Sequence, residues 1–237
     1  MVLLNVLSPR QHCTTAYHIA ACTLWLACLF LAGIHHEVAA ATVKVNVHDA
    51  TEKAVDQAVV ALVPKKLPDY AGQPTAIMDQ RNNTFVPGVL AVRVNTLVHF
   101  PNSDDIRHHV YSFSPAKRFE LRLYHGLTAD PVLFDKPGQV ILGCNIHDSM
   151  LGYIYVLETA WFGVTDQQGV AIIEDVPSGE YQLQTYHPRL DPNRPDLAET
   201  LSLSDQQIIQ KTVRLPSLLP DPRSLSTENE LESLFKR

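Results

Sequence analysis

The chain has 237 residues, of which 46% are hydrophobic and 19% charged, proportions that belong to a globular protein of one or two domains with enough apolar material for a packed core. A formal net charge of −6 argues against a nucleic-acid partner, because such binding relies on clustered Lys and Arg.

Residues 1–41 read as an export signal. Arg10 is the only Lys or Arg there, residues 19–34 form an apolar run, and Ala39-Ala40-Ala41 gives a small-residue cleavage pattern. The run spans 16 residues and contains Thr23, short of the roughly 20 that a membrane-spanning helix needs. Cleavage after Ala41 is expected, which would place the mature chain in the periplasm with no stable membrane insertion. An uncleaved anchor is the alternative. The run Ile19-Ala20-Ala21-Cys22 resembles a lipid-attachment box, but here most of the apolar core follows the cysteine instead of preceding it. Cleavage removes Cys13, Cys22 and Cys28 and leaves Cys144 alone. A single thiol is unusual in an oxidising compartment, and ligation to a metal would account for it.

Residues 42–65 alternate apolar and polar side chains around a polar turn, with Val43, Val45 and Val47 and then Val59, Ala61 and Val63 in phase. This predicts a hairpin, which is not stable by itself. After a Pro, Gly and Asp-containing stretch at 67–74, strands are predicted near 76–79, 90–94, 97–101, 109–113, 117–122, 132–134, 139–144 and 151–157. Eight short strands punctuated by Pro, Gly and Asn are the pattern of a β-sandwich. Residues 161–188 alternate again around turns at 166–169 and 177–179, and 198–203 and 208–215 add two strands. The 58 residues of 158–215 would make a marginal core alone, and the hairpin of 42–65 supplies strands that they lack. Residues 186–197 are rich in Pro and Asp and read as a loop. In the tail, 216–237, Thr227 and Glu230 form a capping-box pattern ahead of a short helix.

The chemistry lies in residues 137–156. Cys144, His147 and Met150 stand as C-x2-H-x2-M between two strand-like runs, a thiolate, an imidazole and a thioether within one tight loop. Such soft and borderline donors suit copper better than magnesium or calcium. A fourth donor is expected from His108 or His109, which open another strand. Taken singly, a Cys or Met is usually core filling and a His beside a strand usually structural; the joint spacing outweighs those readings. Two His and one Cys in a plane with a distant Met form the blue-copper electron-transfer arrangement. His48, His99, His125 and His187 lack neighbouring donors at metal-like spacing and read as structural or surface residues. Asp104, Asp105 and Asp148 read as solvated acidic ground able to steer a basic partner. No catalytic set emerges, so an enzyme is not expected.

These motifs resemble a family. The His-Val step at 109–110, the Gly-containing approach to Cys144, His147 and Met150, and the following GYIYV at 152–156 are similar to cupredoxins of the plastocyanin and amicyanin type. The wider context, HHVYSFSPAKRFEL and GCNIHDSM, is similar to periplasmic proteins labelled methylamine utilisation protein. The resemblance covers about residues 70–157. It implies type 1 copper cycling between Cu(I) and Cu(II), held by His108, Cys144, His147 and Met150, in a single-electron carrier. It also implies a redox partner such as a c-type cytochrome or an amine dehydrogenase. His108 is preferred because the family's ligand directly precedes an Asn-Val pair, whose place His109-Val110 takes; His in place of Asn leaves open whether the contact to the thiolate strand survives. Ile146 stands where many short-loop relatives have Pro, so its amide is expected to donate to the Cys144 sulfur. A non-redox copper-binding or interaction protein of the cell envelope is the alternative function.

Residues 165–183, TDQQGVAIIEDVPSGEYQL, together with the hairpin of 42–65 resemble a carboxypeptidase regulatory-like, transthyretin-like sandwich. The expected fold is therefore all-β: a cupredoxin Greek-key β-sandwich at 66–157 inserted in a second small transthyretin-like β-sandwich built from 42–65 and 158–215. The competing layout is sequential, with 42–157 as one enlarged cupredoxin and a small appendage after it.

Overall fold

The computed structural model describes residues 40–126, 130–147, 149–191, 193 and 197–224. The export signal, apart from its last two residues, the capping box of the tail and Asp148 therefore lie outside the described residues. The structure is all-β, as expected. Among the described residues seventeen strands account for the regular structure, and the one helical element is a single 3-10 turn at Pro222–Ser224. No helix among them is long and apolar enough to cross a membrane.

Strand β1 (Ala40–His48) buries every second residue, the signature of a sheet with one face on a core. It lies between β14 (Val170–Pro177), antiparallel, and β17 (Ile208–Arg214), parallel. Strand β2 (Val59–Pro64) lies between β13 (Phe162–Val164) and β15 (Gly179–Tyr186), and β16 (Ala198–Leu203) closes that sheet. The ladder partners of β1 and β2 thus all come after residue 157. The two sheets enclose one core, with Val43, Val45 and Val47 meeting Val60, Leu62, Ile173, Leu183 and Leu201.

The strands between belong to a second core. They are β3 (Thr75–Ile77), β4 (Asp79–Arg81), β5 (Thr84–Val86), β6 (Val89–Arg93), β7 (Thr96–His99), β8 (His108–Ser114), β9 (Lys117–Tyr124), β10 (Val132–Phe134), β11 (Gly138–Leu142) and β12 (Gly152–Leu157). They form the sheets β10-β7-β3 and β11-β12-β6 and the pairs β8-β9 and β4-β5. Phe100, Phe134, Val98, Val110, Val140, Leu142 and Ile154 fill this core, and Cys144 and Met150 lie in it.

The single strand expected at 76–79 is two strands in different sheets. β3 pairs with β7, whereas β4 turns back on β5 through Asn82 and Asn83. Both asparagines have positive φ, 54° and 56°, as a two-residue hairpin turn requires.

Strands β2 and β12 differ from the rest in being buried on both faces. In β2, Val60 and Leu62 face the first core, while Val59 and Ala61 face Tyr153, Tyr155 and Leu157 of β12 in a third apolar cluster. All six residues of β12 are buried. The alternation expected of residues 59–63 is therefore not found: with a core on each face, both sets of side chains are apolar.

Leu62 is fully buried, so Leu62→Ala should cost about 2–5 kcal/mol through lost transfer energy and the cavity left behind, measured by urea denaturation. His187, just after β15, is buried, and its Nδ1 accepts from the Arg189 amide at 3.1 Å. Burial, helped by the Arg189 charge, pushes its pKa down from 6.5 to about 4. The folded state thus holds His187 neutral where the unfolded chain would protonate it. Its stabilising contribution is complete above pH 6.5 and is lost as the pH falls toward 4. His187→Gln should flatten the fall in stability across that window, read from denaturation midpoints against pH.

Candidate metal centre

Strands β11 and β12 are antiparallel with Leu142 opposite Gly152, so residues 143–151 form the connection that carries the C-x2-H-x2-M spacing. Glycine stands at each end for steric reasons. A Cβ on Gly143 would lie 2.7 Å from the Tyr111 ring, and one on Gly152 would lie 2.8 Å from the Phe85 side chain. Within the connection the Met150 amide donates to the His147 carbonyl at 3.0 Å, which closes the loop tightly over the core.

Strand β8 is joined to this connection by backbone. Tyr111 and Gly143 exchange both N–H···O bonds, at 3.1 and 3.0 Å, and Ser114 Oγ accepts from the Ile141 amide at 2.9 Å. This pairing carries the first residue of β8 to the thiol. The His108 side chain has no solvent exposure, and its Nδ1 lies 3.8 Å from Cys144 Sγ. That imidazole nitrogen faces the sulfur, and the Ile146 side chain is exposed.

The two adjacent histidines point to opposite faces, as the strand period demands. His109 Nδ1 lies 2.6 Å from Asn145 Nδ2, and its Nε2 lies 3.0 Å from Glu120 Oε1. An amide nitrogen only donates, so Nδ1 accepts from Asn145 and the proton lies on Nε2, which is close to the Glu120 carboxylate but outside hydrogen-bond geometry. His109 therefore supplies a tie to the residue after Cys144 without pointing at the thiol. A register shift in the β8–β9 ladder lies between His108 and Val110, where a bulge can re-aim a side chain.

One ligand atom each from His108, Cys144 and His147 all lie within 4.8 Å of one another. Cys144 is a buried free thiol. His147 Nδ1 is buried with no hydrogen-bond partner, and an unpaired polar atom of that kind is costly unless something binds it. His108 and His147 have ring centroids 5.1 Å apart. Met150 is fully buried, in the same cluster of side chains as Cys144. The donors present, two imidazoles and a thiol with a thioether nearby, fit a soft or borderline ion such as copper. His48, His99, His125 and His187 lie outside this group.

Sequence reasoning missed one participant. Asp104, read as solvated ground, has a side chain only 13% exposed, and its Oδ2 lies 2.8 Å from His108 Nε2. Burial pushes the Asp104 carboxyl up, but hydrogen bonds from the Asn83 amide, His108 and the Asn82 amide outweigh it and hold the group below the usual carboxylate range. A carboxylate four residues before a strand-initial His was the available signal. Asp105 next to it is exposed, as that reading supposed.

No protein-family profile matches the chain, and no curated protein does. Among solved structures, it is similar to a copper-containing nitrite reductase from Thermus scotoductus, at 27% identity over 40% of this chain with a TM-score of 0.34. This chain spans 25% of the length of that reductase. It is also similar to a purple cupredoxin from Nitrosopumilus maritimus, at 20% identity over 35% of this chain and 99% of the other, TM-score 0.31. An amicyanin variant in its reduced state matches at 19% identity over 43% of this chain and 99% of its own, TM-score 0.31.

The geometry separates the two histidines. His108→Ala should lower copper affinity at least tenfold by competition titration, whereas His109→Ala should leave it within a few-fold of the unsubstituted protein. The reverse order would mean that the strand presents the other imidazole to the metal.

Proposed function

We propose that this chain is a type 1 copper protein of the periplasm that carries single electrons between redox proteins. The observation that carries the reading is the convergence of His108, Cys144 and His147 within 4.8 Å, with His147 Nδ1 buried and unpaired. Copper bound there would supply a one-electron Cu(I)/Cu(II) couple. Cys144 would provide the thiolate, His108 and His147 the two imidazoles, and Met150 a weak thioether contact.

The role of the protein is to keep those donors from rearranging. Cys144 is held by the Gly143–Tyr111 bridge on one side and, through Asn145, by His109 on the other. His108 starts a strand whose next core residue, Val110, is fully buried. A site preorganised by a β framework needs little reorganisation between the two oxidation states. An electron taken from a reduced donor protein is passed to an oxidised acceptor, and no bond of a substrate is made or broken. We therefore read the chain as a carrier and not an enzyme, with a c-type cytochrome or an amine dehydrogenase as the kind of partner. Residues 66–157 would form the copper module, carried as an insertion by a scaffold of 42–65 and 158–215.

The test is spectroscopic. The purified protein with Cu(II) should show an intense visible thiolate-to-copper band and the matching EPR signal, and Cys144→Ser should abolish both while leaving the far-UV circular dichroism unchanged. Copper binding with no such band would favour the non-redox copper-binding role, and a band that persists in Cys144→Ser would remove the assignment altogether.

A further inference from the structure

Asp104 is held by backbone instead of by solvent. Its Oδ1 accepts from the Asn82 amide at 2.6 Å and its Oδ2 from the Asn83 amide at 3.0 Å. Both donors sit at the β4–β5 turn, where consecutive left-handed residues aim successive amide hydrogens to one side and form a cradle for an anion. The segment that presents Asp104 is locked as well. The Asp104 amide donates to Asn102 Oδ1 at 3.0 Å, and Asn102 Nδ2 donates to the Ile106 and Tyr124 carbonyls, both at 2.8 Å. Ser103 ties the same segment to the hairpin through the Gln80 carbonyl and the Asp79 carboxylate.

Two amide donors are thus spent on the carboxylate, and Oδ2 also faces His108 Nε2 at 2.8 Å. An ionised carboxylate accepts and cannot donate, so Nε2 must carry the imidazole proton. That leaves the Nδ1 lone pair directed toward Cys144 Sγ. The pairing also makes the imidazole a stronger electron donor, as carboxylate partners of metal-bound histidines do.

We propose that Asp104, cradled by the Asn82–Asn83 turn, is the positioning residue of the metal centre: it holds His108 in the Nε2–H tautomer and favours the more highly charged, oxidised ion, which lowers the reduction potential. The proposal rests on the copper reading above. The hairpin of residues 79–86 then belongs to the site through its backbone, since its amides hold the carboxylate in place.

Two measurements test it. In the metal-free, unsubstituted protein, long-range 1H–15N NMR of the His108 ring should show the proton on Nε2; a proton on Nδ1 overturns the proposal, and this reading needs neither copper nor a variant. In the copper-loaded protein, Asp104→Asn should weaken Cu(II) binding about 10–100-fold and Cu(I) binding much less, so that the midpoint in voltammetry moves positive. Asp105→Asn removes the same charge from the neighbouring exposed position and should leave the midpoint near that of the unsubstituted protein. Equal midpoints in the two variants, or equal losses of Cu(I) and Cu(II) affinity in Asp104→Asn, overturn the tuning role. If Asp104→Asn does not fold, the imidazole spectrum decides. If the unsubstituted protein shows no blue band, the copper reading fails, and the spectrum still decides whether Asp104 positions His108.

Discussion

The pair of backbone hydrogen bonds between Tyr111 and Gly143 is the contact on which the site depends. It spans 32 residues of sequence and sets two strands at one register, which carries His108 to the side of Cys144. A slip of one residue would exchange His108 for His109 at the thiol, because side chains alternate faces along a strand. Gly143 allows the approach, since any Cβ there would strike the Tyr111 ring. The opposite neighbours of the two histidines, Asp104 behind one and Glu120 and Asn145 around the other, each complete their own face. Register therefore decides which imidazole meets the sulfur and which braces the loop from outside.

Burial at this centre is unequal in a way that matters for its chemistry. His108 and Met150 are fully buried and Cys144 nearly so, while His147 is partly exposed with a buried, unpaired Nδ1. His108, Cys144 and Met150 are thus embedded in the packed interior, where rearrangement would open cavities, and His147 reaches the surface beside the exposed Ile146. A donor set of this kind couples a rigid interior to an accessible edge.

The rest of the chain supports this core through two strands that have no solvent face. β2 and β12 each contribute one set of side chains to their own core and the other set to the shared cluster of Val59, Ala61, Val89, Tyr153, Tyr155 and Leu157. The β12 strand that leaves the metal loop is therefore pinned on both sides. Its Tyr155 hydroxyl accepts from Gln139 Nε2 at 2.9 Å, so the polar tip of that buried ring is paired as well.

What the sequence by itself determined was whatever depends on local order. The period-two alternation of residues 42–48 announced a strand, the C-x2-H-x2-M spacing announced a donor loop, and the thiol, imidazole and thioether within it gave that loop its chemistry. The tertiary structure alone decided what depends on register and on long-range hydrogen bonds. The alternation rule separates His108 from His109 without saying which faces inward; that was settled by the pairing of β8 with the segment through Gly143. Asp104 looked like any acidic residue before a strand, because its role comes from two amides of a hairpin about 20 residues upstream. That hairpin was itself illegible as two strands, since three residues on each side are too few to show a period, and only the consecutive asparagines marked its turn.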